Sequence, residues 1–294
     1  MQEYKNKSIK LNNYINWYGF QYIPSHTISY LEWGDPKNDN ILICAPGLTR
    51  NAHDFDKIAL ALSNNFRIIS INYPGRGDSD YFQNKTHYNY YVYIKDTLLF
   101  LKKLNIKKPI WLGTSMGGVI GMILASRYKE IFKGMILNDI GPFISHESIN
   151  RIKKYAGQTH LFPDLNSGKL HLKMIYSQFG ITDEDDWDYM TKHSFSLNCN
   201  GKYQMNYDNA ILDGIRIDKK QHKKNVDMWP IWNKLSCKLL VIHGTLSDIL
   251  QKSTIEKMQK TKDFELYSVD YAGHAPSLMS KDQIGVIQDW INKL

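Results

Sequence analysis

Short aliphatic runs alternate with longer amphipathic stretches along most of the chain, and this alternation restricts the fold more than any other feature. Ile41-Leu42-Ile43-Cys44 precedes a helical pattern through Phe55, Ile58, Ala59 and Leu62, and a β-branched run follows at 67–71. The rhythm continues with a helical pattern over 93–104, a strand at Ile110-Trp111-Leu112, a helix over 116–128 and a strand at Met135-Ile136-Leu137. Near the C-terminus it resumes with strands over 238–243 and 264–269, a helix near 255–258 and a last helix through Trp290 and Ile291. Short apolar runs joined by amphipathic helices are explained most simply by parallel β-α-β units, so the fold class is α/β with helices flanking a mostly parallel sheet.

The rhythm stops between Gly141-Pro142 and Trp229-Pro230, where charged helical patterns occupy 149–155, 170–178, 182–192 and 209–215. That stretch reads as an inserted helical cap over 142–231, with residues 1–141 and 232–294 forming the core. Thr182 followed by Asp183, Glu184, Asp185 and Asp186 reads as a capped helix start, since acids suit the positive end of a helix dipole, and it calls for no metal. With 294 residues, 43% of them hydrophobic, the chain can bury a core of this size and still carry an insertion.

The net charge of +8 raises nucleic acid or an acidic partner, but the lysines are scattered and no basic-aromatic stripe appears, so no nucleic-acid partner is expected. One local cluster, Arg216, Lys219, Lys220, Lys223 and Lys224, would suit an acidic carrier protein, although a solvated like-charged turn is the plainer reading. No run reaches the roughly 18 apolar residues that a membrane span requires. Cys44, Cys199 and Cys237 form no C-x-x-C pair and no ligand cluster, and the first residues lack the apolar run of a signal peptide. A cytoplasmic protein without a metal centre is expected.

The chemistry centres on Gly113-Thr114-Ser115-Met116-Gly117, a G-x-S-x-G pattern set between a predicted strand and a predicted helix. A serine on so sharp a turn needs small neighbours, which Gly113, Gly117 and Gly118 supply, and it stands exposed above the sheet. The Met116 amide, at the helix start, points toward a developing oxyanion. A serine hydroxyl is a poor nucleophile at neutral pH and needs a base with a carboxylate behind it. Among ten histidines His274 is the candidate, because Gly273-His274 follows the last predicted strand on the edge that bears Ser115. His53 is a candidate pocket residue, and His243 is read as fixing a turn.

For the carboxylate Asp248 is favoured, one β-α unit ahead of His274 and in the chain order serine, acid, histidine. Asp139, after the strand at 135–137, is the rival. Pro46-Gly47-Leu48-Thr49-Arg50-Asn51 follows the strand ending at Ala45 and offers Leu48 N–H as the second oxyanion donor. Gly47 and Arg50 are candidates for substrate contact, although an arginine in such a loop more often anchors it. Tyr73-Pro74-Gly75-Arg76-Gly77-Asp78-Ser79 is glycine-rich but lacks the third glycine of G-x-G-x-x-G, and is read as a turn. No cofactor is called for.

These landmarks together, with Leu137-Asn138-Asp139-Ile140-Gly141-Pro142 and His243-Gly244, resemble α/β-hydrolase fold proteins of the capped esterase and lactonase type over nearly the full length. The resemblance implies an eight-stranded, mostly parallel sheet, a helical lid after the sixth strand and hydrolysis of a small-molecule ester through an acyl-enzyme. It also admits C–C bond hydrolases, carrier-protein methyl-ester esterases and catalytically idle receptors, because lid and pocket vary on one scaffold. Two positions depart from the family pattern: Pro46 stands where many members have His, and Asn72 where Asp is common. Ser115 separates the chain from the branches that use an aspartate there.

Overall fold

The computed structural model describes residues 4–16, 20–156, 158–212 and 224–294. The first half holds β1 (Lys5–Leu11), β2 (Tyr14–Asn16), β3 (Gln21–Ile23), β4 (His26–Trp33), β5 (Ile41–Ala45), α1 (Asp56–Leu62), β6 (Arg67–Ile71), α2 (Tyr90–Lys103), β7 (Ile110–Thr114), α3 (Met116–Arg127) and β8 (Gly134–Asn138). Then come β9 (Phe143–Ile144), α4 (His146–Tyr155), α5 (Leu165–Ile175), α6 (Glu184–Ser194), β10 (Phe195–Leu197), β11 (Tyr203–Met205), β12 (Val226–Asp227) and α7 (Trp229–Trp232). The chain closes with β13 (Lys238–Gly244), α8 (Lys252–Thr261), β14 (Glu265–Val269) and α9 (Lys281–Asn292).

Eight strands form one sheet in the order β1-β4-β6-β5-β7-β8-β13-β14. The β1–β4 and β4–β6 pairs are antiparallel, and every pair from β6 to β14 is parallel. This is the expected α/β architecture. Six of these strands carry the aliphatic runs read from the sequence, while β1 and β4 hide theirs. β1 is a lysine-bearing edge strand, a common protection against edge-to-edge pairing. β4 buries His26, Ser29 and Glu32 among its apolar residues, and Glu32 is matched by Lys7 and Arg67. Burial alone would raise the Glu32 carboxyl, but those two cations hold it below its ordinary range.

The central strands bury both faces. β5 sends Ile43 and Ala45 into one apolar layer and Leu42 and Cys44 into the other, and β13 divides Val241 from Leu240 and Ile242 in the same way. Helices α2, α3, α7 and α8 cover the first face, and α1 and α9 the second. Each fully buried aliphatic side chain contributes roughly 1.5–3 kcal/mol, so the two layers dominate stability.

Between β8 and β13 the four expected helical segments are partly replaced. The first two patterns form α4 and α5, with a 3₁₀ turn at Ser177–Phe179, and the third forms α6. The fourth is a 3₁₀ turn at Asn209–Leu212, and β10 pairs with β11 in a hairpin that the helical patterns do not show. Three-residue strands are too short to show a period. Tyr176, Trp187 and Phe195 are buried in the first core layer. Of the basic cluster, Arg216, Lys219, Lys220 and Lys223 lie outside the described residues. Among the described residues no helix is long and apolar enough to cross a membrane.

Candidate active site

The parallel strands end at one edge, and the loops that leave them there carry the candidate residues. Ser115 sits between β7 and α3 with φ 48° and ψ −110°, a backbone state costly for a non-glycine residue, by about 1–3 kcal/mol. The glycines around it are sterically required. A Cβ on Gly113 would lie 2.5 Å from the Gly117 and Gly118 backbone, and one on Gly117 would lie 2.1 Å from the Ala45 carbonyl oxygen. The turn is pinned further by Ser115 N–H to the Asn138 carbonyl at 3.1 Å and by the Trp111 indole N–H to the Gly117 carbonyl at 3.0 Å.

His274 lies on the loop after β14, its Nε2 2.9 Å from Ser115 Oγ. Its Nδ1 lies 2.7 Å from Asp139 Oδ2. A carboxylate only accepts, so the ring carries its proton on Nδ1, donates it to Asp139, and accepts from the Ser115 hydroxyl. The histidine loop is braced from two sides: Gly273 N–H donates to the Gln178 carbonyl at 2.6 Å and Ser277 N–H to the Phe179 carbonyl at 2.9 Å. The Asn138 amide bridges Thr114 Oγ1 (3.1 Å) and the Pro276 carbonyl (2.9 Å), tying the serine strand to the same loop.

The favoured carboxylate, Asp248, lies outside this hydrogen-bond run. Asp248 is half-exposed and bonds Arg151 through both oxygens, at 2.7 Å to Nε and 2.7 Å to Nη2. Burial alone would raise its carboxyl, but Arg151, with a weaker pull from His274, holds it below its ordinary value. The rival Asp139 is fully buried at the end of β8, with φ 52°. Its Oδ1 accepts Gly244 N–H at 2.9 Å, and its Oδ2 accepts both His274 and the Ser247 hydroxyl, the latter at 2.5 Å. Ser247 Oγ in turn accepts the Ile249 and Leu250 amides at 3.1 Å. Ser247 and Asn138 were not singled out from sequence, because a serine or an asparagine in a loop carries no signal until its partners are known.

Gly47 abuts the serine, since a Cβ placed on it would meet Ser115 Cβ at 3.9 Å. Leu48 follows in the same loop, and Met116 is the first residue of α3, where amides lack an intrahelical acceptor. Arg50 takes the anchoring place expected of an arginine in such a loop. Its buried guanidinium bonds Asp54 at 3.0 Å and Ser194 Oγ at 2.8 Å and lies over the Tyr176 ring, so it joins the loop to the insertion and its donors face protein. Burial would lower its affinity for a proton, but Asp54 more than offsets that.

The insertion bonds the loops after β5, β6 and β13 at this edge. Tyr176 OH meets Thr49 Oγ1 at 2.8 Å, Asn51 Nδ2 donates to the His193 carbonyl at 2.7 Å, Gly77 N–H donates to the Asn206 carbonyl at 3.2 Å, and Arg151 holds Asp248. A small apolar cavity of about 30 Å³ lies beside Thr114, lined in part by Phe179, Ile181, Met190 and Leu278.

Two other histidines take different places. His243, buried at the end of β13, bonds the Leu250 backbone, and burial lowers its affinity for a proton. His53 bonds Asp56 at 2.8 Å and stacks on His193, with ring centroids 3.8 Å apart and planes at 25°. Burial and the neighbouring His53 bring the His193 pKa down to about 4. Among the described residues, His53, Asp56 and His193 form a group with ligand atoms within 4.8 Å of one another. Stacked imidazoles send their in-plane lone pairs side by side rather than to one point, so this arrangement does not converge on an ion.

The family model for the alpha/beta hydrolase fold matches residues 40–279. The chain belongs to this family. A 3-hydroxybutyrate-oligomer hydrolase of Cupriavidus necator is 31% identical over 267 residues, covering 89% of this chain and 91% of that one. A solved structure from Rickettsia typhi, provisionally described as a hydrolase, superposes with a TM-score of 0.94 at 58% identity over 99% of both chains. An alpha/beta hydrolase of Novosphingobium aromaticivorans gives a TM-score of 0.86 at 29% identity and full coverage of both chains. The chain is thus a hydrolase-family protein with esterase- and hydrolase-named relatives.

Proposed function

We propose that the protein is a serine hydrolase that cleaves a small carboxylic ester through an acyl-enzyme, with Ser115 as nucleophile, His274 as base and Asp139 as the acid. The observation that carries this reading is the unbroken hydrogen-bond run from Ser115 Oγ through His274 to Asp139, at 2.9 Å and 2.7 Å. As Ser115 attacks the carbonyl carbon, Nε2 takes its proton, and buried Asp139 steadies the imidazolium. The Leu48 and Met116 amides bind the oxyanion, with Gly47 allowing the close approach. Nε2 then protonates the leaving alcohol, and a water activated by the same ring releases the acid.

The substrate class we assign is an ester of a short hydroxy acid. The curated relative at 31% identity is named for 3-hydroxybutyrate oligomers, which supports this class. Residues 142–231 act as the cap, an assignment supported by their bonds to the loops after β5 and β13. The cytoplasmic location read from the cysteine pattern belongs to the same proposal.

Hydrolysis of p-nitrophenyl butyrate and of a 3-hydroxybutyrate dimer, followed for the native protein and for Ser115→Ala, tests the reading. Loss of the nucleophile should lower kcat by at least about 10⁴-fold. A fluorophosphonate probe should label the native protein and not the variant. Undiminished turnover by Ser115→Ala, or a native serine inert to the probe, removes the assignment.

A further inference from the structure

The turn after β6 contains a side chain that the steps above do not use. Arg76 is fully buried, among the largest side chains in the molecule with no exposure. A guanidinium cannot shed its charge within a protein, so burying one costs several kcal/mol unless a counter-charge meets it. The other buried arginine of this edge, Arg50, follows that rule by pairing with Asp54.

Arg76 does not. Nε donates to the Leu48 carbonyl at 2.9 Å, and Nη1 to the Pro74 carbonyl at 2.8 Å and the Tyr93 hydroxyl at 2.7 Å. Nη2 lies 3.7 Å from Met116 Sδ, and the guanidinium carbon sits 5.1 Å from the centre of the Tyr93 ring. None of these partners is a carboxylate. Asp208 and Asp96, whose fields reach Tyr93 as well, are engaged elsewhere, Asp208 by Lys85 and Tyr88 and Asp96 by Tyr14 and His26.

Two of the contacted residues, Leu48 and Met116, are those whose amides are assigned to the oxyanion. One cation therefore grips the loop after β5 by its backbone and touches the first residue of the serine helix. We propose that Arg76 is the positioning residue of the oxyanion hole: it fixes Leu48 relative to Met116, and its unmatched charge favours the tetrahedral oxyanion over the neutral ester. A cation without a ground-state counter-ion gains its partner only as negative charge develops. That is the differential interaction that raises kcat rather than lowering KM. The idea rests on the esterase reading above.

The test compares native protein, Arg76→Lys, which keeps charge and loses the fork, and Arg76→Gln, which keeps a donor and loses charge. Each is assayed on p-nitrophenyl butyrate and inhibited with phenylboronic acid, which forms an anionic tetrahedral adduct on a reactive serine. Circular dichroism and thermal melting follow the fold. Arg76→Gln should lose about 100-fold in kcat with KM within about threefold, and boronate affinity should fall in parallel, as for loss of an oxyanion donor. Arg76→Lys should recover at least about tenfold of that loss. A folded Arg76→Gln with native kcat, or lysine and glutamine variants equally impaired while boronate still binds as in the native protein, overturns the proposal. If Arg76→Gln does not fold, Arg76→Lys decides. At least about a tenth of native kcat, with boronate affinity following it, supports the role, and a folded but inert lysine variant overturns it. Ser115→Ala run alongside separates the two claims, because turnover that survives in it sinks the esterase reading, whereas serine-dependent turnover indifferent to Arg76 sinks only this one.

Discussion

The loops after β8 and β13 each bring one aspartate to the edge of the sheet that holds His274, and the two carboxylates have opposite fates. Asp139 is buried, held in a left-handed backbone conformation, and accepts the Gly244 amide, the Ser247 hydroxyl and the imidazole. Asp248 is half-exposed and spans out to Arg151 on α4. Asp248 still lies near enough to His274 for the ring, when protonated, to favour its carboxylate. On the proposed reading, proximity and chain order do not select the acid. A directional bond does, and it needs a carboxylate whose remaining lone pairs are already occupied by fixed donors so that it cannot turn away.

The largest break in this contrast comes from exchanging each carboxylate for its amide. Asp139→Asn removes the acceptor for Nδ1–H and permits the wrong tautomer, so kcat on p-nitrophenyl butyrate should fall by about 10³–10⁴-fold with little change in KM. Asp248→Asn leaves the run from Ser115 to Asp139 intact and should change kcat by less than about threefold. Steady-state kinetics on both variants check the pair. A larger loss in Asp248→Asn than in Asp139→Asn would return the acid to the loop after β13 and overturn the assignment made here.

The legible parts of the molecule were those written in local pattern. The strand rhythm showed the six parallel strands, and G-T-S-M-G between a strand and a helix located Ser115, because close packing there admits nothing larger than glycine. His274 was legible from its loop and edge. The acid was not, since both aspartates follow a strand on the same side and only the placement of Ser247, Gly244 and Arg151 separates them. Those partners lie about a hundred residues from the aspartate they act on, and a chain read alone does not show such pairings. The same holds for β1 and β4, where Glu32 is matched by Lys7 across the pair and by Arg67 on β6.

A finer break is available at Ser247, which donates to Asp139 and receives the amides of Ile249 and Leu250. Ser247→Ala leaves the carboxylate with the Gly244 amide and the imidazole but loosens its grip on both. One hydrogen bond of this kind is worth about 1 kcal/mol, so kcat should fall by about fivefold. Melting temperature should move by only a few degrees. Equal activity in Ser247→Ala would mean that the backbone of β8 and β13 alone holds Asp139 in place.

The smallest effect belongs to the carboxylate that lost the contest. Asp248 has its folded pKa held below the unfolded value by Arg151, against the opposing effect of burial. A depressed carboxyl contributes stability that is present above its unfolded pKa, near 4, and is lost as pH falls through the lower folded value. Both partners are partly exposed, 40% for Arg151 and 39% for Asp248, so solvent screening limits the contribution to about 0.5 kcal/mol. Denaturant midpoints measured from pH 7 down to pH 3 should therefore fall slightly less steeply for Asp248→Asn than for the native protein, with the two curves converging at the acid end. Asp248 would then be a stabilising link between α4 and the loop after β13 rather than part of the chemistry, and a variant with native acid sensitivity but impaired kcat would reverse that division.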